Sequence, residues 1–221
     1  MKKLLFWMVL IVGIVALIGS CAKKDDSTAA TAAADNTTST TSYISTTTTA
    51  SGSITVGSET MSGVYASECL TSASLIAIFV NANVWPSEVK AYGNVFVVTG
   101  SDNISIELYT FTDTSCSTSS MSYKTVSDNV TVGSASGSNY PVTYNNQTQA
   151  ITVHTTAAET ALETLYSDAL DFIVGTPIEL PVSGSGLRYG LWTLSGTSWY
   201  EADDSSSATP TSAGTVPHVK Q

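Results

Sequence analysis

The sequence contains little positive charge. Eight Lys and Arg residues stand against 18 Asp and Glu residues, which gives a formal net charge of −10. This balance repels nucleic acid and anionic headgroups, so no nucleic-acid partner is expected. Solubility is the simplest interpretation of the charge, and an acidic binding surface is the alternative. Beyond the apolar run at residues 4–18, no segment has the roughly 20 apolar residues that span a bilayer.

The residues that carry most enzyme chemistry are also scarce. The only histidines are His154 and His218, and both are expected to be ordinary surface or packed residues. A zinc site needs three or four nitrogen, sulfur or carboxylate ligands, and the cysteines have other expected roles. The acidic pairs Asp25-Asp26 and Asp203-Asp204 lack the spacing of a calcium loop. Abundant serine leaves a Ser/His/Asp arrangement open, but no Gly-x-Ser-x-Gly elbow occurs. We therefore expect no enzymatic activity, no metal and no cofactor.

The first residues have the pattern of an export signal. Lys2 and Lys3 precede an apolar run that is too short to span a membrane comfortably, and small residues follow it. Ile18-Gly19-Ser20-Cys21 resembles the bacterial lipobox, in which the cysteine is acylated and becomes the mature N-terminus. The alternative is a plain signal-anchor with an incidental cysteine. We predict a signal peptide at residues 1–20 and lipidation (palmitate or a similar acyl group) of Cys21.

This resemblance implies a cell-envelope lipoprotein whose partner is a membrane. One acyl chain binds a membrane only marginally, whereas two or three anchor a protein stably. Residue 22 is Ala and not the Asp that favours inner-membrane retention in enteric bacteria. The outer membrane is therefore expected, with the face left open. Cleavage would remove Lys2 and Lys3 and no acid, so six basic and 18 acidic side chains would leave a net charge of −12.

Cys69 and Cys116 are the two cysteines that remain after Cys21 is assigned to lipidation. An exported protein folds in an oxidising compartment, where two such thiols are expected to form a disulfide. The alternative is a pair of separate buried thiols. A bridge that closes a loop of this size is expected to contribute on the order of 4 kcal/mol.

A polar segment separates Cys21 from the rest of the chain. From Lys23 to about Ser53 it consists of Thr, Ser, Ala and Asp with almost nothing bulky, so it cannot bury enough apolar surface to offset the entropy of ordering. We expect residues 21–57 to be the acylated cysteine and a disordered tether. Residues 58–221 are then one domain on size.

Strand patterns dominate that domain. Residues 104, 106 and 108 are apolar and share one face, while Ser105 and Glu107 point the other way. The apolar residues 75–80 fit either a strand or a buried helix. The other expected strands are residues 64–66, 95–99, 104–113, 122–132, 141–144, 150–154, 188–194 and 197–202. Turns are expected at residues 100–103, at Asn145-Asn146-Gln147 and at Ser195-Gly196. The last of these turns would place Trp192 opposite Trp199.

One helix is expected among the strands. Thr156 and Glu159 have the spacing of a capping box. Small and apolar residues then recur at helical spacing as far as Ala169, and Gly175 and Pro177 end the pattern. Seven or eight strands with short turns predict a mainly β protein, a closed antiparallel barrel of about eight strands with one flanking helix.

The chain resembles small bacterial lipocalin-like lipoproteins in several loose motifs. They are Gly63-Val64-Tyr65-Ala66-Ser67-Glu68-Cys69, Phe111-Thr112-Asp113 before Cys116, Tyr189-Gly190-Leu191-Trp192 before Trp199-Tyr200, and the tail from Pro210-Thr211-Ser212 to Lys220-Gln221. Tyr65 stands where lipocalins usually have tryptophan. The resemblance implies an up-and-down, lipocalin-like β-barrel and a cavity for an apolar small molecule or lipid. It also implies that Arg188 packs over the Tyr65 ring, for which the alternative is an exposed arginine.

The candidate ligand-pocket residues are aromatic: Tyr65, Trp85, Phe96, Trp192 and Trp199. They could equally be core filling, because small barrels are often filled by their own side chains. Two functions therefore remain open. The chain is either an anchored barrel that binds an apolar small molecule, or an envelope structural or protein-interaction module with a filled barrel.

Overall fold

The computed structural model describes residues 42–167, 169–182 and 184–221. These residues form eleven strands and two helices. The strands are β1 (Ile54–Val56), β2 (Glu59–Met61), β3 (Val64–Ala66), β4 (Ala91–Val98), β5 (Ile104–Phe111), β6 (Ser119–Val132), β7 (Asn139–Val153), β8 (Pro177–Leu180), β9 (Leu187–Ser195), β10 (Ser198–Ser205) and β11 (His218–Lys220); the helices are α1 (Ala73–Asn81) and α2 (Thr156–Tyr166).

Eight of the strands close into an antiparallel barrel. The ring runs β3-β4-β5-β6-β7-β9-β10-β11 and returns to β3, so each strand pairs with its neighbours along the chain apart from the short β8. Strand β8 pairs with the second half of β7, beyond the stretch that pairs with β9. Closure leaves few unpaired strand edges. The predicted up-and-down barrel is confirmed, with an extra strand and a second helix.

The two helices lie at one end of the barrel. Helix α1 contains the apolar run whose type the sequence left open, and Leu75, Ile76 and Phe79 are its buried residues. Helix α2 begins one residue earlier than the predicted capping box requires. The hydroxyl of Thr155, not Thr156, accepts a hydrogen bond from the backbone N–H of Ala158.

The turn predicted at Asn145-Asn146-Gln147 is wrong. These residues lie inside β7, a continuous strand of 15 residues. Polar residues alone do not force a turn when both strand edges are paired: β6 borders β7 on one side, and β9 and β8 border it on the other. Asn146 instead uses its side-chain oxygen to accept a hydrogen bond from Ser127, at 2.9 Å.

The predicted register of the last hairpin is also wrong. Ser195 pairs with Ser198, so the loop is Gly196-Thr197, one residue later than expected. This shift places Glu201, not Trp199, opposite Trp192. The two indole rings still touch on the diagonal, edge to face, with centroids 5.1 Å apart.

Residues 42–51 form a strap across the outside of β4 and β5. The strap begins beside Glu68, where the Ile44 N–H donates to the Ser67 carbonyl, and ends where the Ser51 N–H donates to the Val98 carbonyl. Ile44 is only 5% exposed and packs on Gly93, which has no side chain to block it. The tether predicted to end at residue 57 therefore belongs to the fold from residue 42 onward. Its earlier part, with Cys21, lies outside the described residues.

A short hairpin follows the strap and covers the other end of the barrel. Strands β1 and β2 are joined by Gly57-Ser58, and Gly57 has a φ of +65° that favours glycine. Any side chain at Gly57 would meet the Tyr140 ring of β7. Ile54, Val56 and Met61 turn inward and are buried. The two ends of the barrel are hereafter the hairpin end and the helix end.

The predicted disulfide between Cys69 and Cys116 is present at the helix end. Cys116 has a φ of +54° and lies in the loop between β5 and β6. The Asp113 carboxylate shapes this loop by accepting hydrogen bonds from the backbone N–H groups of Ser115, Ser117 and Thr118. The Ser115 hydroxyl and these neighbours hold the pKa of Asp113 well below its ordinary value.

Candidate functional site: the barrel interior

An aromatic cluster fills the hairpin end of the interior. Four of the five predicted pocket residues meet there. The Trp199 ring stands edge to face against Phe96 at 4.1 Å, Trp192 at 5.1 Å and Tyr65 at 6.0 Å. Val142 and Tyr144 and the hairpin residues Ile54, Val56 and Met61 complete this cluster. Trp192 and Trp199 are fully buried, so these rings pack against protein.

The fifth predicted pocket residue, Trp85, lies in a separate cluster at the helix end. It stacks on Phe79 of α1 at 4.3 Å and tilts against Tyr92 of β4 at 5.3 Å. Residues of β6, β7, α2 and the following loop, among them Val153 and Phe172, complete this second core. Both ends of the barrel are thus closed by apolar packing. The sequence pattern of aromatics does not reveal this division, because it depends on where each strand crosses the barrel.

A belt of polar residues separates the two apolar clusters. These side chains lie on the inner face of the barrel. Each is directly opposite an inward-facing residue on a neighbouring strand, or two positions along its own strand from a core residue. The polar belt consists of Asn94, Thr125, Ser127, Asn146, Gln149, Arg188 and Glu201. Thr125, Ser127, Gln149 and Arg188 are buried, and Arg188 is therefore not an exposed surface residue. It stands opposite Tyr144 on the neighbouring strand.

The residues around the belt are not fully packed. Ile106, Leu108 and Tyr123 face the same interior, yet they are only half-buried, as is Asn94 in the belt. This contrasts with the fully buried aromatic residues at the hairpin end. Because these side chains point into the barrel, we attribute their accessible surface to space in its middle. The sequence gives no direct sign of this space, because Ile106 and Leu108 follow the same alternation as a filled core.

Glu201 is the acidic member of the belt and bonds to the hairpin-end cluster. The indole N–H of Trp192 lies 3.4 Å from its Oε1, and the Tyr144 hydroxyl lies 3.5 Å from the same oxygen. These long contacts orient the carboxylate toward the interior from β10. Together with Arg188 and the belt amides, Glu201 gives the middle of the barrel hydrogen-bonding groups of both kinds.

His218 is buried at the hairpin end among aromatic rings. It is 3% exposed, and its ring meets Phe96 at 4.6 Å and Trp199 at 5.8 Å. Neither ring nitrogen has a hydrogen-bond partner among the residues that the structure describes, and the same holds for the Trp199 indole N–H. Burial lowers the pKa of His218 to about 4. The imidazole is therefore neutral at pH 7 and acts as part of the core.

A buried carboxylate lies on the outside of the barrel, under the strap. Glu107 is 2% exposed and accepts hydrogen bonds from the hydroxyls of Thr46 at 2.5 Å, Tyr109 at 2.6 Å and Ser105 at 3.0 Å, and from the Thr48 hydroxyl. The Lys124 ammonium lies 3.6 Å away. Burial alone would raise the pKa of Glu107, but the hydrogen bonds outweigh it and the pKa lies below its ordinary value.

We expect Glu107→Gln to lower the free energy of unfolding by about 2 kcal/mol, because it removes charge-assisted hydrogen bonds from a buried site. The stabilisation should be complete above the ordinary pKa of a glutamate, and should be lost progressively as the pH falls from there through the lowered pKa of the folded state. Urea unfolding of the variant, with Glu59→Gln on an exposed hairpin position as control, measures the effect. Equal midpoints for the two variants would contradict this role.

One serine and one histidine are in contact on the barrel surface. The His154 Nε2 atom lies 3.1 Å from the Ser122 hydroxyl oxygen. Within the described ranges no carboxylate bonds to the other ring nitrogen, so the pair lacks the group that orients a catalytic base. Burial lowers the pKa of His154.

Residues 42–167, 169–182 and 184–221 contain no group of three or more His, Cys, Asp or Glu side chains that could hold a metal ion. In the same part of the chain no helix has the length and apolar character needed to cross a membrane. Comparison with known proteins matches the chain neither to a protein-family model nor to a curated sequence.

Proposed function

We propose that the chain is a lipid-anchored protein of the bacterial outer membrane whose barrel binds a small molecule with both apolar and polar parts. The anchor is Cys21, on the strength of the lipobox-like residues before it. The barrel stands outside the bilayer and holds its ligand in the middle of the interior. The protein thus keeps a binding module attached to the envelope.

The partial exposure of inward-facing side chains around the polar belt is the single observation that supports ligand binding. A packed interior leaves few voids larger than a water molecule. Inward-facing Ile106, Leu108 and Tyr123 nevertheless retain accessible surface, while both ends of the barrel are closed. An internal space of this kind in a barrel is a typical place for a small ligand.

The chemistry of the belt refines the class of ligand. A purely apolar molecule would exclude water from polar side chains of the belt such as Asn94, and burying a polar group without a replacement hydrogen bond costs free energy. A ligand that carries hydrogen-bonding groups beside an apolar part would satisfy the belt and pack on Leu108 and Ile106. We therefore propose an amphipathic molecule and not the apolar ligand implied by the family resemblance.

Native mass spectrometry of the mature protein, purified from its own cells in mild detergent, tests both halves of the proposal. We expect the acyl chains as a covalent mass at Cys21 and a noncovalent small molecule bound one to one. Leu108→Trp should fill the space and raise the dissociation constant about tenfold, which corresponds to about 1.4 kcal/mol and lowers the bound fraction. Val126→Trp, on the outer face of β6, is the matched control and should leave it unchanged.

The possible outcomes distinguish the anchoring at Cys21 from the binding of a small molecule. An unmodified thiol at Cys21 would contradict anchoring without affecting the barrel. A protein that never carries a small molecule, in either the wild type or the control variant, would contradict ligand binding.

The alternative function is an envelope module that binds another protein through its loops. The edge-to-face packing of Trp199 with Phe96, Trp192 and Tyr65 favours it, because that end of the barrel is filled by its own side chains. It predicts a bound partner after mild crosslinking and an identical partner profile for Leu108→Trp.

A further inference from the structure

Three apolar side chains stand out on the surface. Ile78 is 56% exposed, Ile173 is 52% exposed and Val174 is 43% exposed. They are the large apolar side chains that are exposed in the described part of the chain, and all three belong to one end of the barrel. Ile78 lies on α1, while Ile173 and Val174 follow Phe172, a member of the helix-end cluster.

The position of Ile173 and Val174 follows from the backbone next to them. The Gly175 N–H donates to the carbonyl of Val153, the last residue of β7, at 2.8 Å. Val153 is buried in the helix-end cluster together with Phe79 of α1. The exposed residues of α1 and of this loop therefore extend from the same end of the barrel. Helix α1 has no charged residue, so no charge on it has to leave water when the helix meets a neutral lipid surface.

The chain enters the fold at the same end. Tyr43 forms an isolated antiparallel β-bridge with Glu68, which is next to Cys69. The strap then runs along β4 toward Val98 at the hairpin end. Twenty residues separate Cys21 from Ser42. Whatever their conformation, they connect the anchored cysteine to the helix end and not to the hairpin end.

We propose that the helix end faces the membrane, with Ile78, Ile173 and Val174 in contact with the lipid surface. This inference rests on the proposed anchoring at Cys21. Moving exposed apolar side chains out of water lowers the free energy. Because the anchor already holds the domain at the membrane, a contact too weak to bind a free protein is sufficient to orient a tethered one. The hairpin end then points away from the bilayer.

The test uses the mature acylated protein in phosphatidylcholine nanodiscs that carry a gadolinium chelate on the lipid headgroups. In methyl spectra we expect loss of the signals of Ile78, Ile173 and Val174, with those of Ile54 and Val56 at the hairpin end retained. Leu170 is also at the helix end, so its methyl signals should be lost in the wild type as well. The variant I78S/I173S/V174S should stay on the nanodisc, but its Leu170 methyl signals should be retained. The variant I78L/I173L/V174I keeps the apolar surface and is the matched control.

Retained signals at Ile78 and Ile173, or equal loss at Ile54 and Val56, would overturn the orientation. A protein that remains with the nanodisc but gives either result contradicts the orientation alone. A protein that does not remain with the nanodisc contradicts the anchoring as well, and mass spectrometry at Cys21 distinguishes these cases.

Discussion

Replacing Cys69 and Cys116 by serine should lower the free energy of unfolding by about 4 kcal/mol. The bridge closes a loop with a sequence separation of 47 residues and so restricts the unfolded chain. It also ties the segment after β3 to the Asp113 loop between β5 and β6. Urea unfolding measures the difference between the wild type and the double variant.

Reduction provides the control for this prediction. The wild type in excess phosphine should unfold at the same urea concentration as the double variant, since both lack the bridge. Asp113→Asn, which disturbs the loop but keeps both cysteines, should retain most of the stability. An unchanged midpoint after reduction would contradict the contribution assigned to the disulfide.

Mild acid should destabilise the protein through His218. Its pKa is about 4 when folded, whereas the unfolded imidazole has its ordinary value of 6.5. As the pH falls from about 6.5 to about 4, the unfolded state takes up a proton that the folded state does not, so stability decreases over this window. The full loss is about 3 kcal/mol.

His218→Phe separates this effect from the titration of carboxylates. The variant keeps the aromatic contacts with Phe96 and Trp199, and its stability should change little between pH 6.5 and 4. His154→Phe is the control, because it removes the exposed surface histidine and leaves most of the slope in place. Identical slopes for His218→Phe and the wild type would show that another group causes the acid sensitivity.

The sequence predicts the barrel well because its evidence is local. Alternation in residues 104–108 identifies β5 and its inner face, and short polar turns identify several hairpins. The disulfide follows from the small number of cysteines. The family resemblance and the strand count point to the same closed architecture, which the structure confirms.

The parts that the sequence does not predict depend on contacts between distant residues. The strap looks disordered because Thr46 and Thr48 are unremarkable by themselves, and their partner Glu107 lies about 60 positions away. Residues 145–147 look like a turn until two neighbouring strands pair with them. The last hairpin shows how sensitive register is, because moving the loop by one residue changes the partner of Trp192 from Trp199 to Glu201.

The polar belt is difficult to predict for a related reason. Irregular pairing between β6 and β7 shifts which residues face inward on either side of Ser127 and Asn146. Simple alternation along the sequence therefore fails to identify the belt members on these strands. The aromatic residues are easier to recognise, yet most of them close the hairpin end and do not line the space.

A crystal structure of the mature protein, purified from its own membranes without delipidation, tests the central claim most directly. The account predicts electron density for one organic molecule between Leu108 and the polar belt, with a polar group in hydrogen-bond contact with Glu201 or Asn94. A barrel whose middle holds only ordered water, in protein that was never exposed to harsh detergent, would contradict it.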